Sequence, residues 1–205
     1  LENLDRAIEL RPEDAAIRQE RMLAFELLGD VEGAATEARQ LLSLGATGTA
    51  AASLRFRIAE CAQARKDTTG AQQALEATLE DDPESAAASA VLEDLLLDTG
   101  QYERQLERLA VQAERSSRPG RCQLLWRAAQ LAAKHLPDFE RANALYGQAI
   151  EAADDALPLL RERYGAALRH GAIEAARLAR RALLSADLED EERAAITREL
   201  YLQLR

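Results

Sequence analysis

Aromatic residues are scarce in this chain of 205 residues: three Phe, four Tyr and one Trp amount to 4% of it. Strands draw on β-branched and aromatic residues at alternate positions. No such alternation occurs here, so a sheet is not expected. Cysteine is as sparse. Cys61 and Cys122 are too few for a disulfide framework or a zinc site, and they fall in non-adjacent parts of the pattern traced below, so no bridge between them is expected. Two lone thiols mildly favour a reducing compartment, and the expected location is the cytoplasm. The two histidines, His135 and His170, each stand near the end of a helical stretch, where a protonated imidazole suits the helix C-terminus. No H-x-x-x-H, C-x-x-C or G-x-x-x-x-G-K-[ST] spacing is present, and the ten glycines are scattered. Acidic runs such as Glu80-Asp81-Asp82 and Glu189-Asp190-Glu191-Glu192 precede helix starts and lack the alternating ligand spacing of a calcium loop. An enzyme needs a nucleophile with a base, a metal cluster or a phosphate cradle. The expectation is a non-enzyme with no cofactor and no metal. No apolar run is long enough to span a bilayer.

What the chain has in quantity is Ala and Leu, which carry most of its 47% hydrophobic content. Both rank high in helix propensity, and Ala lets helices approach closely. The fold class read from this is all-α. Charge is uneven. Residues 1–100 hold 9 Lys+Arg against 20 Asp+Glu, whereas residues 101–205 hold 17 against 16, for a net −10. An acidic first half repels phosphate backbones, so nucleic acid is not an expected partner. Only Lys66 and Lys134 are lysines. With so much Ala, the preference for Arg reads as the codon bias of a GC-rich bacterial genome rather than as phosphate recognition.

Self-similarity is the strongest signal. LENLDRAIELRPED places Leu1, Leu4, Ala7, Ile8 and Leu10 on one helical face and stops at Pro12. GAQQALEATLEDDPES repeats the phrase with Pro83 as the stop and Ser85 as the next cap, and ERANALYGQAIEAADD repeats it more loosely. Turn signals recur at Gly29-Asp30-Val31, Lys66-Asp67-Thr68, Gly100-Gln101-Tyr102, Pro137-Asp138-Phe139 and Gly171-Ala172-Ile173. The large apolar residue in four of these turns (Val31, Tyr102, Phe139, Ile173) is expected to anchor the turn in the core. Three residues further on stand Ala34, Ala71, Gln105, Ala142 and Ala176, at spacings of 37, 34, 37 and 34. The extra three residues are expected in loops near Gly45–Gly48 and Pro119–Gly120. The reading is a leading helix at about 1–10, helix pairs near 15–43, 52–79, 86–115, 121–153 and 158–185, and a last helix near 190–204.

These residues resemble the tetratricopeptide repeat family, a 34-residue helix-turn-helix unit, over essentially the whole chain. Trp126 matches the family's early aromatic, and Phe25 and Leu96 match the large residue closing the first helix. Ala34, Ala71, Ala142 and Ala176 match the small residue at the helix crossing. Tyr146 with Ala149 matches the second-helix aromatic, and Pro12 and Pro83 match the closing proline. Arg18, Arg55 and Ser89 depart from the early aromatic, and Met22, Glu93, Gln130 and Tyr164 depart from the small residue four places later. The resemblance implies a right-handed superhelical solenoid of about five repeats with a flanking helix at each end, in a single domain over 1–205. A different helical-pair solenoid is the alternative. Trp126 and Tyr146 are expected in the core, and Cys61, on the stripe of Leu54 and Ile58, is expected to be buried. Leu1 opens in mid-pattern and the sole methionine is Met22, so a segment of a longer protein is expected.

In the family, first helices line the inner groove. Carried over by repeat position, the groove-facing set is Gln19, Leu23 and Glu26, then Phe56, Glu60 and Gln63, then Asp94 and Asp98, then Arg127, Leu131, Lys134 and His135, then Arg161, Leu168 and Arg169. The first three repeats present acid and the last two present base. Phe56 either faces the groove or, one residue out of register, is buried. The lysine and asparagine carboxylate clamp of some members is not reproduced. The implied function is a scaffold that binds a partner protein or peptide in this groove, with self-association into a homo-oligomer possible. A structural spacer or self-association module and the regulatory arm of a larger protein are the alternatives.

Overall fold

The computed structural model describes residues 1–186 together with residues 194, 197 and 198. Helix is the sole regular structure among them, in the order α1 (Glu2–Leu10), α2 (Ala15–Leu27), α3 (Val31–Ser43), α4 (Gly48–Ala64), α5 (Thr68–Asp81), α6 (Ala86–Asp98), α7 (Tyr102–Arg115), α8 (Arg118–His135), α9 (Phe139–Ala152), α10 (Leu157–Arg169) and α11 (Ile173–Ser185). The fold is an all-α helical-repeat solenoid, and the five pairs fall where the sequence periodicity places them. The helix expected near 190–204 lies outside the described residues. The chain divides into two compact units, Leu1–Thr99 and Gly100–Arg205, with the boundary inside the third pair. In the first unit α1 to α6 pack in chain order, each on the next; in the second, α7 to α11 do the same.

Local chemistry sets the boundaries. Asp14, Asp30, Asp67, Ser85 and Asp138 each accept a hydrogen bond from a backbone N–H of the helix that follows, replacing a bond the first turn cannot make internally. Between the helices of a pair, Gly29, Gly100 and Gly171 take φ near +70°, the left-handed region in which glycine has no Cβ penalty. Lys66 occupies the same place in the second pair at φ 60°, and in the fourth the equivalent residue is Pro137. The three-residue insertions are not loops as expected. They lengthen the first helices of alternate pairs: α4 has 17 residues and α8 has 18, against 13 in α2, α6 and α10. Pro119 and Gly120 sit in the opening turn of α8, where a missing N–H costs nothing.

The helix-crossing positions are all buried: Ala34, Ala71, Ala142 and Ala176 are small, and the third pair carries Gln105 there instead. Four residues on, Ala38, Leu75, Leu109 and Tyr146 are buried too. Each belongs to a cluster that includes the first helix of the following pair, as Ala38 with Leu54 and Leu75 with Leu92 and Leu96. In the fifth pair this position is Arg180, which is exposed. Two departures from the family pattern become ion pairs. Arg55, in place of the early aromatic, holds Asp81 at 2.6 Å. Arg18 meets Glu37, a carboxylate only 1% exposed, at 3.1 Å, and Arg21 grips the other oxygen of Glu37 at 2.5 Å. Arg18 also donates through Nε to the Pro12 carbonyl, and Arg21 reaches Asp5 at 2.8 Å.

Three expectations need correction. Val31 and Ile173 do not anchor their turns, and Ile173 is 71% exposed. Tyr102 and Phe139 are covered because a histidine from the following pair lies on each: His135 stacks on Tyr102 at 3.9 Å and His170 on Phe139 at 5.2 Å. Neither histidine caps its own helix as expected. His170 Nε2–H donates to the Ala133 carbonyl of α8 at 2.6 Å. Trp126 is half-buried rather than fully buried, because its indole edge points to a carboxylate on α10. Tyr146 and Cys61 are buried as expected.

Candidate functional site

The first helices of the first unit, α2, α4 and α6, carry the acidic part of the expected surface. Gln19, Leu23, Gln63, Asp94 and Asp98 are exposed, and Glu26 and Glu60 are half-buried. Phe56 meets neither alternative fully: it is half-buried and rests on the cluster of Ala59, Leu75, Ala88, Leu92 and Leu96. The register that puts Leu23 on this face also puts Leu27 there, and Leu27 is 89% exposed.

Glu26 and Glu60 are brought together by a residue that the repeat pattern did not single out. Arg57 Nε lies 2.6 Å from Glu26 Oε1, and its NH1 donates to Glu60 Oε2 at 2.9 Å. The hydrogen bond to Glu60, offset by burial and reinforced by both carboxylates, holds the Arg57 guanidinium pKa above its ordinary value. Glu26 Oε1 is buried and close to Arg57, yet it accepts no well-aligned hydrogen bond. These side chains, with Gly29, Val31 and Ala34, line an open pocket of about 400 Å³. The i, i+3 spacing of Arg57 and Glu60 on α4 was a visible signal; the link to Glu26 required knowing how α2 and α4 pack.

In the second unit, Arg127, Lys134, Arg161 and Arg169 are exposed on α8 and α10, while Leu131, Leu168 and His135 are half-buried. The polar centre here is Glu162, which sequence reasoning passed over. Trp126 Nε1–H and Gln130 Nε2–H donate to its Oε2 at 2.5 and 3.1 Å, and the Tyr146 hydroxyl donates to Oε1 at 3.2 Å. Burial first, then the charge and hydrogen bond of Glu162, push the Tyr146 phenol well above its ordinary range, against a smaller opposing effect of Arg169. Burial lowers the Arg163 pKa, and its Nε–H donates to Asn143 at 2.8 Å. This network links α8, α9 and α10. Among the described residues no group of three or more His, Cys, Asp or Glu side chains is arranged to hold a metal ion. No described helix is long and apolar enough to cross a membrane.

No protein-family model and no curated protein matches this chain. Solved structures do. A tetratricopeptide repeat protein from Parabacteroides merdae superposes with a TM-score of 0.51 at 13% identity, over 93% of this chain and 73% of its own. MamA from Desulfovibrio magneticus RS-1 aligns over 92% of this chain and 95% of its own, at 14% identity and a TM-score of 0.44. The first likeness is one of fold: the chain has a helical-repeat architecture similar to that of this tetratricopeptide repeat protein.

Proposed function

We propose that this chain is a non-catalytic interaction scaffold that holds a partner protein or peptide against the faces of its first helices. The observation that carries the reading is the segregation of exposed charge. Asp94 and Asp98 lie on a first-helix face of one unit, and Arg127, Lys134, Arg161 and Arg169 lie on those of the other. Charges arranged in this way select and orient a partner, while neighbouring apolar side chains such as Leu23 and Leu131 supply contact area. The cations of α8 and α10 favour an acidic segment, from another protein or from a second copy of this chain. Nucleic acid is disfavoured by the net charge of −10. Two free thiols suit the cytoplasm.

The test uses a synthetic helical peptide with leucine anchors and glutamates one turn apart. Arg127→Glu with Arg161→Glu is expected to weaken its binding more than tenfold, and binding to the unaltered chain is expected to fade as salt rises. The helical signal should hold, since exposed substitutions cost under about 0.5 kcal/mol. Equal binding by the doubly reversed chain removes this face as the binding surface and leaves a spacer as the better reading.

A further inference from the structure

Arg163 holds the same repeat position as Arg21. The two stand 142 residues apart, which is two of the 71-residue steps that separate every second pair. Arg21 has a carboxylate on each side: Asp5, from the helix before its pair, at 2.8 Å, and Glu37, from the second helix of its pair, at 2.5 Å. Carried forward by the same 142 residues, the place of Asp5 is taken by Gly147 on α9 and that of Glu37 by Ala179 on α11. The cation recurs, and both of its anions are replaced by residues without charge.

Arg163 is half-buried on α10, and its Nε–H donates to Asn143 Oδ1 on α9 at 2.8 Å. Among the described residues that is its one hydrogen bond, and no carboxylate lies within ion-pair reach of it. Nη1 and Nη2 are therefore unbonded within the chain, yet neither is sealed from solvent. Burial lowers the pKa of this guanidinium, with no carboxylate to oppose the effect. Gly147 stands one turn beyond Asn143 on the same face of α9, and a Cβ added to it would meet nothing within 4 Å. Glycine weakens a helix interior relative to alanine, and here no neighbouring atom requires the missing side chain. Ala179 is fully buried, so the Glu37 side of the position is closed while the Asp5 side is open. A guanidinium presents parallel N–H groups that match the two oxygens of a carboxylate. The Asn143 amide, with its oxygen held by Arg163, has its own N–H groups as further donors.

We infer that Arg163, Asn143 and the opening at Gly147 form a binding site for a single carboxylate group, brought by a small organic acid or by an Asp or Glu side chain of a partner. The group takes the place beside Arg163 that Asp5 takes beside Arg21. Arg161, two residues before, points about 200° around α10 from Arg163. The site is thus separate from the first-helix face proposed above, and reversing Arg127 and Arg161 does not test it.

The experiment follows the Nε–H resonance of Arg163 in the full chain by proton–nitrogen correlation NMR, identified as the one lost in Arg163→Lys. The probes are sodium acetate and a short blocked peptide with one Asp. The controls are sodium chloride and the same peptide with Asn, all at fixed pH and ionic strength. A saturable shift is expected with both probes, and binding at least tenfold weaker with the controls. Tighter binding of acetate supports a small acid as the natural source, and tighter binding of the Asp peptide supports a partner's side chain. Gly147→Asp, which supplies the carboxylate that Asp5 gives to Arg21, is expected to abolish the titration, whereas Gly147→Ala is expected to retain it. The site is overturned if the resonance does not move, if it follows acetate and chloride alike, or if Gly147→Asp titrates like the unaltered chain. Should Gly147→Asp fail to fold, the comparison of acetate with chloride on the unaltered chain decides alone.

Discussion

Glu37 offers the sharpest test of how the first unit is held together. Its carboxylate is 1% exposed and carries two guanidinium partners, Arg18 and Arg21. Glu37→Ala removes the carboxylate and leaves two nearly buried cations facing an Ala-rich core. Breaking a buried ion pair from one side costs about 3–5 kcal/mol. The lower end applies here, because Arg18 keeps the Pro12 carbonyl and Arg21 keeps Asp5. The control sits on the same helix: Glu32, 68% exposed, pairs with Arg65, 62% exposed. Removing an exposed partner of that kind costs about 0–1 kcal/mol. A loss of ~3 kcal/mol lowers the melting temperature of a chain of this size by about 6 °C or more. Because a repeat array need not unfold all at once, amide hydrogen exchange in α2 and α3 is the better assay. Protection there should fall by about two orders of magnitude in Glu37→Ala and stay nearly unchanged in Glu32→Ala. Equal exchange in the two variants refutes the assignment of Glu37 as a structural node. Replacing Arg18, Arg21 and Glu37 together by Met or Leu should recover much of the loss, since apolar packing commonly matches a buried charge network.

Three further outcomes are expected. The Tyr146 phenol is raised by burial and by Glu162, so an ultraviolet titration should show a phenol ionising above the ordinary range that is lost in Tyr146→Phe. The unfolded chain releases that proton near pH 10 and the fold resists doing so, so this group's stabilising contribution is present below about pH 10 and lost above it. Tyr146→Phe, which keeps the ring, should cost about 1.5–3 kcal/mol, as for a hydrogen bond to a charged group. Of the two thiols, half-buried Cys122 should react first with maleimide, and slowly at neutral pH. Burial, then Asp154, raise its pKa against the smaller opposing pull of Arg118; buried Cys61 should react only on unfolding. Lys66→Gly should raise stability by a few tenths of a kcal/mol up to about 1, because a left-handed non-glycine residue costs about 1–2 kcal/mol and glycine returns part of that as unfolded-state entropy; urea unfolding checks it.

The helices and their pairing were legible because each is announced locally. An Asp or Ser cap opens a helix, a Gly closes it, and a small residue recurs at 34 and 37. The insertions were misplaced into loops because Gly and Pro were read as breakers, although an opening turn tolerates both. Val31 and Ile173 were misjudged for a different reason. Whether a turn residue is covered depends on what the next pair lays over it, and the histidines that cover Tyr102 and Phe139 have no counterpart at Ala64. The exposed members of the candidate surface followed from repeat position alone. Arg57, Glu37 and Glu162 did not, because each acquires its role by bridging helices far apart in sequence, and periodicity within one helix carries no trace of that.

Arg180 bears on how such an array can grow. Repeat chains lengthen by copying a unit in register, and a copied unit finds a seat when the face before it is uncharged and buried under it. Ala38, Leu75, Leu109 and Tyr146 are seats of that kind. At Arg180 the seat carries a cation, and Arg177 and Arg181 beside it are exposed as well. A faithful copy of any of the first four units, laid on α11, would bury that charge against alanine and leucine at a cost of several kcal/mol. A helix with a carboxylate at the facing position would offset that cost, so this one residue favours an acidic neighbour over an apolar copy.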